Sequence, residues 1–482
     1  MNAHTTPLSS RLAGVLLGLL GVVLCIAFTA YLTVRHVVWP RLDHWRPEIV
    51  EAIGHQLGRP VAIDALRPSW EGLHPALEID GLRIDGPDGR PRLSVAAAYA
   101  RVSWRSLAWG RPRLAALRLD APSLVVERLA PGRIAVAGFE LDPAQADSGR
   151  GLDWLLTQGE IVIDGATVEF LDATGGVAPL RLAGVSVQMD NAGRRHQARI
   201  TAARPGDAAD AIEVITEVFR TPLARPSDWR RWRGVAHVSG RGVDLGRVSS
   251  LVQALGGALP EAAASARGRM DALAWARFDD GAFVDATIKG RVGQASASLE
   301  AGPVVLDTLA AEARVERTRD GGRVARITGL AATDARGFSL AADGDAELGF
   351  DRGGALRSGW LRLAAFDAAA ALDAARRLPL PVALRDRLRD IGLSGQVRDL
   401  TLRWTRPDTP SAETRPADRS ADAALARPDQ PRFDLSATFE RLGVQLGETA
   451  DGRRLPGLGH VSGAVRASDH DGQLTLTARK AV

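Results

Sequence analysis

From residue 59 onward, the apolar residues of this 482-residue chain recur at every second position. Ala76-Leu77-Glu78-Ile79-Asp80 reads as a strand that turns at Gly81 into Leu82-Arg83-Ile84-Asp85. The pattern returns in Leu117-Arg118-Leu119-Asp120, in Ile161-Val162-Ile163-Asp164 and in Val168-Glu169-Phe170. Further on it recurs at Leu180-Arg181-Leu182, Leu361-Arg362-Leu363, Phe433-Asp434-Leu435 and Leu474-Thr475-Leu476. A period of two sends successive side chains to opposite faces, so each segment is a strand with one apolar and one wetted face. Helical patterning after residue 59 is confined to 248–257 and 366–391. With no sustained βαβ alternation, strands spread over about 400 residues predict one long antiparallel sheet with a few flanking helices.

Such a sheet must hide its apolar face. It either closes on a second sheet as a sandwich or forms a trough that holds something greasy, and alternation is compatible with both. Leu77, Ile79, Leu82, Ile84, Leu117, Leu119, Val168 and Phe170 are the candidates for that face. They are a lipid-groove lining in one case and sandwich core in the other.

Ahead of the strands, residues 12–34 run 23 positions without a charge. A helix of that length spans the ~30 Å hydrocarbon core of a bilayer. Arg11 precedes it, Arg35 and His36 follow it, and Tyr31 and Trp39 stand where interfacial aromatics belong. The apolar region of a cleaved signal peptide is shorter, about 7–15 residues. A lipoprotein wants a small residue before its cysteine, where this chain has Leu24 before Cys25. Residues 12–34 therefore read as an uncleaved signal anchor, with 1–11 as a short cytoplasmic tail and the rest outside. Residues 39–58 follow as a juxtamembrane amphipathic helix, with Asp43 as N-cap and Gly58 as stop. Its apolar face packs on the end of the β structure or lies on the membrane surface. Residues 405–432, with five prolines and balanced charge, read as a disordered linker between β-patterned stretches 59–404 and 433–482.

Composition excludes several classes of function. Apolar residues make up 45% and charged residues 24%, which rules out wholesale disorder. A single cysteine, Cys25, rules out a disulfide framework and a cysteine zinc site. Basic residues number 61 against 57 acidic, interleaved throughout, so no nucleic-acid surface is expected. The nine histidines form no metal-binding spacing. Gly240–Gly246 and Gly457–Gly463 come within one residue of a dinucleotide fingerprint, but no βαβ unit follows either. The chain reads as a non-enzyme without catalytic, cofactor-binding or metal residues.

Three stretches carry a family resemblance. They are Leu42-Asp43-His44-Trp45-Arg46-Pro47-Glu48-Ile49, then Ser69-Trp70-Glu71-Gly72-Leu73-His74-Pro75, and Leu117-Arg118-Leu119-Asp120-Ala121-Pro122-Ser123-Leu124. Together with Trp154–Ile161 and Ala166–Phe170 they resemble the start of the AsmA-like YhdP family (DUF3971-type) of Gram-negative envelope proteins, over roughly residues 12–190. The resemblance implies an inner-membrane, single-pass protein whose periplasmic part is an elongated, curled β-sheet with a hydrophobic groove. It implies a role in phospholipid transport toward the outer membrane and in envelope integrity. Members are usually much longer, so this chain is a fragment, a truncated gene product or a short divergent member. Membrane phospholipid is the expected ligand, with envelope proteins as further partners. The competing function is a scaffold for outer-membrane proteins that offers strand edges without carrying lipid.

Overall fold

The computed structural model describes residues 8–86, 88–104, 106, 113–130, 133–141, 150–175, 179–204, 207–254, 264–299, 302–376, 388, 391–406, 432–446 and 457–477. All but the ends of the expected linker 405–432 lies outside the described residues. So do residues 1–7 of the expected tail, 255–257 and 377–387 of the expected helices, and the last five residues of 433–482. The chain is mainly β, with an apolar helix at its N-terminus and a predominantly antiparallel sheet architecture after it. It divides into two compact units. The first comprises residues 1–174, 181–196 and 225–227, and the second 175–180, 197–224 and 228–482.

Unit 1 opens with α1 (Leu8–Thr33), in which no charged side chain follows Arg11. The helix continues through a π-helical stretch, Val34–Val38, and a 3-10 stretch, Trp39–Trp45, into α2 (Arg46–Leu57). Gly58 ends α2 in the left-handed conformation a C-terminal glycine favours, with φ of 65°. Asp43, expected to cap the helix, instead accepts a hydrogen bond from the Leu66 N–H at 3.3 Å.

Strands β1 (Val61–Ala62) and β2 (Ala65–Glu71) both pair antiparallel with β3 (His74–Asp85). Strands β4 (Pro91–Val102) and β5 (Leu114–Asp120) extend that ladder. β6 (Ser123–Ala130), β7 (Arg133–Val136) and β8 (Phe139–Leu141) form a second antiparallel ladder. The next strand departs from the antiparallel expectation: β9 (Glu160–Asp172) lies parallel to both β5 and β6. A parallel neighbour needs a crossover connection, which α3 (Arg150–Thr157) supplies. Gln158, fully buried, ties the end of α3 to the sheet by accepting from the Leu114 N–H at 2.8 Å. β10 (Leu180–Ala192) pairs with β9.

Gly81 is not the expected turn. It lies inside β3 with φ of 64°, and β3 runs straight through it. Gly165 does the same in β9, with φ of 65°, and Gly184 in β10, with φ of 72°. Between β5 and β6, Ala121 takes φ of 44° ahead of Pro122. One left-handed residue slips the alternation by one position. Leu77 and Ile79 before Gly81, and Leu82 after it, consequently pack against the same core cluster. The slips at Gly81, Ala121 and Gly165 share one line across the sheet, because Asp80, Ala97, Asp120 and Asp164, all cross-strand neighbours, adjoin it. A slip in one strand would turn half its apolar residues to water; made in register, it preserves a single apolar face. Ala121 is the non-glycine residue on this line with positive φ, where a Cβ costs roughly 1–2 kcal/mol. Ala121→Gly is expected to raise the stability of unit 1 by about 1 kcal/mol, read as a higher denaturant midpoint at unchanged slope.

Unit 2 holds most of β11 (Arg195–Arg204) and then a long meander. β12 (Asp207–Arg220), β13 (Trp232–Asp244), β14 (Arg267–Asp279), β15 (Ala282–Leu299), β16 (Gly302–Arg317) and β17 (Arg323–Thr333) each pair antiparallel with the next. The series continues through β18 (Ser339–Phe350), β19 (Leu356–Asp367), β20 (Ile391–Thr405), β21 (Arg432–Leu446), β22 (Leu458–Ser468) and β23 (Gly472–Thr477). Among the described residues, two short α-helices interrupt it. α4 (Leu245–Ala254) follows β13, and α5 (Ala368–Ala375) follows β19 with Asp367 as N-cap, accepting from the Ala370 N–H at 2.8 Å.

Candidate functional site: an uncovered apolar sheet face

The eight residues singled out from alternation all fall on neighbouring rows of unit 1. Leu77, Ala100, Leu117 and Ile161 are successive cross-strand neighbours, as are Ile79, Ala98, Leu119 and Ile163. Ile84 leads through Leu93 and Leu124 to Val168, and Val126 pairs with Phe170. Leu117, Leu119, Ile84 and Val168 are buried; Leu77, Ile79, Leu82 and Phe170 are half-buried. Leu155 of α3 and Met189 of β10 pack on the cluster that Val95, Ala98, Ala100, Leu117, Leu119 and Ile161 form, and Ile161 keeps only 2% of its surface. This face has a lid.

Unit 2 presents the opposite situation. Following the register across eleven strands gives Val214, Val238, Ala274, Ile288, Ala313, Ile327, Ala346, Leu361, Leu402, Leu435 and Ala467, each the partner of the one before. No polar side chain interrupts the row. Only Ala346 in it is buried; Val238 keeps 37% of its surface and Ile288 44%. A parallel row runs from Ala236 through Ala276, Ala286, Val315, Ala325, Leu348, Gly359 and Trp404 to Phe433, again without a charge. The rows between them belong to the other face and are polar: Thr287, Arg314, Arg326, Glu347, Trp360, Arg403 and Asp434 are successive partners. Ion pairs lace that face, with Arg326 to Glu347 and Arg314 to Glu316 both at 2.7 Å.

Charge separates the two sides of β14: Leu273 and Trp275 are exposed on the side that also carries Arg267, Arg269, Asp271, Arg277 and Asp279, whereas the apolar face is carried by Met270, Ala272, Ala274, Ala276 and Phe278. Apolar surface left in water forfeits roughly 25 cal/mol per Å². Contiguous uncovered patches of this kind mark binding surfaces. The rows offer no charged group, so their surface is complementary to hydrocarbon.

A second cluster sits where α1 meets the strands. The Trp70 ring lies 5.6 Å from Tyr31 and 6.3 Å from Trp104, and Tyr31 lies 6.0 Å from Trp104. The Arg35 guanidinium stacks 5.0 Å over the Trp70 ring, a cation–π contact. Trp39, expected at the lipid interface, is instead 3% exposed, and its Nε1–H reaches the carbonyls of Ser69 at 3.0 Å and Ala76 at 3.1 Å. Nearby, the Tyr99 hydroxyl donates to Glu71 at 2.5 Å, and Arg101 pairs with the same carboxylate at 3.3 Å. Burial, then the Glu71 hydrogen bond, pushes the Tyr99 phenol up to about 12. A folded pKa above the unfolded value contributes stability in full below about pH 10 and loses it as pH rises through 12. In a Tyr31→Phe background, where Tyr99 is the remaining tyrosine, phenolate absorbance should rise near pH 12 rather than 10. Among the described residues, no group of three or more His, Cys, Asp or Glu is placed to hold a metal ion.

A family profile described as YhdP protein matches residues 1–482. The chain belongs to the YhdP family. Among curated proteins, the Escherichia coli (strain K12) "Intermembrane phospholipid transporter YhdP" is 34% identical over 97 residues. That alignment takes in 20% of this chain and 8% of the relative's length. YhdP-family membership was legible from the N-terminal stretches, whose Trp70 and Pro122 now prove to be a helix-packing ring and part of the crease between β5 and β6.

Proposed function

We propose that this chain is an inner-membrane-anchored protein that binds lipid acyl chains on the uncovered apolar face of unit 2 and supports movement of phospholipid between membranes. The observation that carries this reading is the charge-free row from Val214 to Ala467, in which Val238 and Ile288 are exposed, Ala346 is buried and the other members are half-buried. Membership of the YhdP family, and the printed function of the E. coli relative, support phospholipid as the cargo. α1 is the membrane span, with the residues after it on the periplasmic side. Its exposed apolar surface and uncharged length support the span. Leu77, Ile79, Leu82, Ile84, Leu117, Leu119, Val168 and Phe170 hold the packed core of unit 1, and contact with lipid falls to unit 2.

The full chain, purified from membranes and transferred to an amphipathic polymer, is the material for the test. Native mass spectrometry with lipid extraction should find phospholipid at one or more molecules per chain, in headgroup proportions close to those of the membrane of origin. An apolar row reads tails, so weak headgroup selectivity is expected. Folded protein carrying polypeptide and no phospholipid would replace this function with that of an assembly scaffold.

A further inference from the structure

We propose that the tip of the β2–β3 hairpin, Gly72-Leu73, dips into the bilayer beside α1 and gives unit 1 a second point of membrane contact. This rests on the reading of α1 as a membrane span.

The order of contacts along the two elements sets the direction of the hairpin. Tyr31, three positions inside the end of the uncharged run 12–34, meets Trp70. Trp39, further from that run, bonds to the carbonyls of Ser69 and Ala76, one step back from the tip. Asp43, further still, receives the Leu66 N–H, and Arg46 donates to the Asp64 carbonyl. Moving away from the apolar run on the helix therefore means moving away from the tip on the hairpin. The hairpin lies antiparallel to the chain leaving α1, with its tip aimed back along the helix. Tyr31 is about 4.5 Å inside the end of the run by helical rise. Trp70 and Trp104, whose rings stand against it, thus occupy the interfacial layer that tryptophan favours. Leu73 lies beyond Trp70, at a further ~3.3 Å per residue of strand.

The tip is built for that position. Leu73 is 66% exposed and has no core to join, while Gly72 makes the tight turn with φ of 62°. The charges flanking it are already matched: Glu71 is held by Tyr99 and Arg101, with His74 and Arg118 adding positive potential on the same carboxylate. Arg35, stacked on Trp70, sits at the depth where arginine reaches headgroup phosphate. In water, Leu73 is an isolated exposed side chain; beside a bilayer it is an anchor.

The test uses the full chain in phosphatidylethanolamine–phosphatidylglycerol vesicles, with an environment-sensitive fluorophore on single cysteines. The native Cys25, exposed on α1, reports the span. Leu73→Cys and Arg90→Cys, each in Cys25→Ser, report the two ends of β3; Arg90 is in the turn at the end away from the tip. Nitroxide-bearing lipids are the quenchers. The expected result is loss of most Cys25 fluorescence to a nitroxide deep in the acyl chain, and of most position-73 fluorescence to one near the headgroup. Position 90 should stay open to aqueous iodide. Position 73 as open to iodide as position 90, with Cys25 still deep, would overturn the tip insertion and leave the span intact. Cys25 untouched by the deep nitroxide would overturn the span and the tip insertion together.

Discussion

Ile288→Glu combined with Ile327→Glu is expected to strip the chain of phospholipid while leaving it folded. The two positions flank Ala313 in the charge-free row, so two carboxylates would stand about 10 Å apart across three strands. Ile288 is 44% exposed and Ile327 half-buried, so the substitutions should cost the sheet below about 1 kcal/mol at the first position and about 1–2 kcal/mol at the second. An acyl chain laid over the same row would have to desolvate both carboxylates. Each unpaired polar burial costs several kcal/mol, and every 1.4 kcal/mol is a factor of ten in affinity. Lipid per chain should fall by at least about a hundredfold. Trp275→Glu is the control: comparable exposure, an adjacent strand, the polar face. It should leave lipid content unchanged. Equal lipid in the double variant and in the Trp275→Glu control would remove the apolar row from the function.

The reverse pattern is expected in unit 1. Ile161 lies 2% exposed at the centre of the cluster under α3, against Leu117 on the neighbouring strand. Truncation to alanine leaves a cavity that the surrounding strands cannot collapse, and should cost about 3 kcal/mol. Hydrogen exchange should locate the loss in β4, β5 and β9, with the protection of β14 to β17 unchanged. Ile161→Asp should prevent unit 1 from folding. Lipid bound per folded chain should not change in Ile161→Ala. A selective loss of lipid at full stability would instead put unit 1 in the binding surface.

How much of this the sequence disclosed can be argued from Gly81 and Ile288. The alternation on either side of Gly81 announced a strand with one apolar face, and the structure has that strand. The glycine itself was misread because a left-handed residue in a hairpin turn and one inside a strand leave the same local mark. Only the slips at Ala121, Gly165 and Gly184 on neighbouring strands distinguish them. The parallel pairing of β9 was hidden for a related reason: α3 is eight residues long, too short for its periodicity to stand out. Ile288 and its row escaped because the row is assembled across strands, with alanines between the large aliphatics, so that β14 itself shows only small Ala272, Ala274 and Ala276 opposite large Leu273 and Trp275. Which face is lidded depends on α3 lying over one set of strands, a tertiary fact that no strand encodes by itself. Trp39 shows the same limit, since an aromatic at the end of an apolar helix suits a lipid interface and a buried hairpin contact equally well.

The unbroken row of unit 2 also bears on speed. Eleven strands at about 4.8 Å spacing make a track of roughly 50 Å, several times the half-thickness of a ~30 Å hydrocarbon core. On the proposed function, a hydrocarbon tail moving along it would meet alternating small and large side chains of the same chemistry, Ala274 then Ile288, Ala313 then Ile327. Each new contact replaces one just lost, so successive positions are nearly degenerate in energy. Travel over such a track is a one-dimensional random walk on a low-relief surface. Its net direction comes from the concentrations at the two ends, and its transit time grows with the square of the distance.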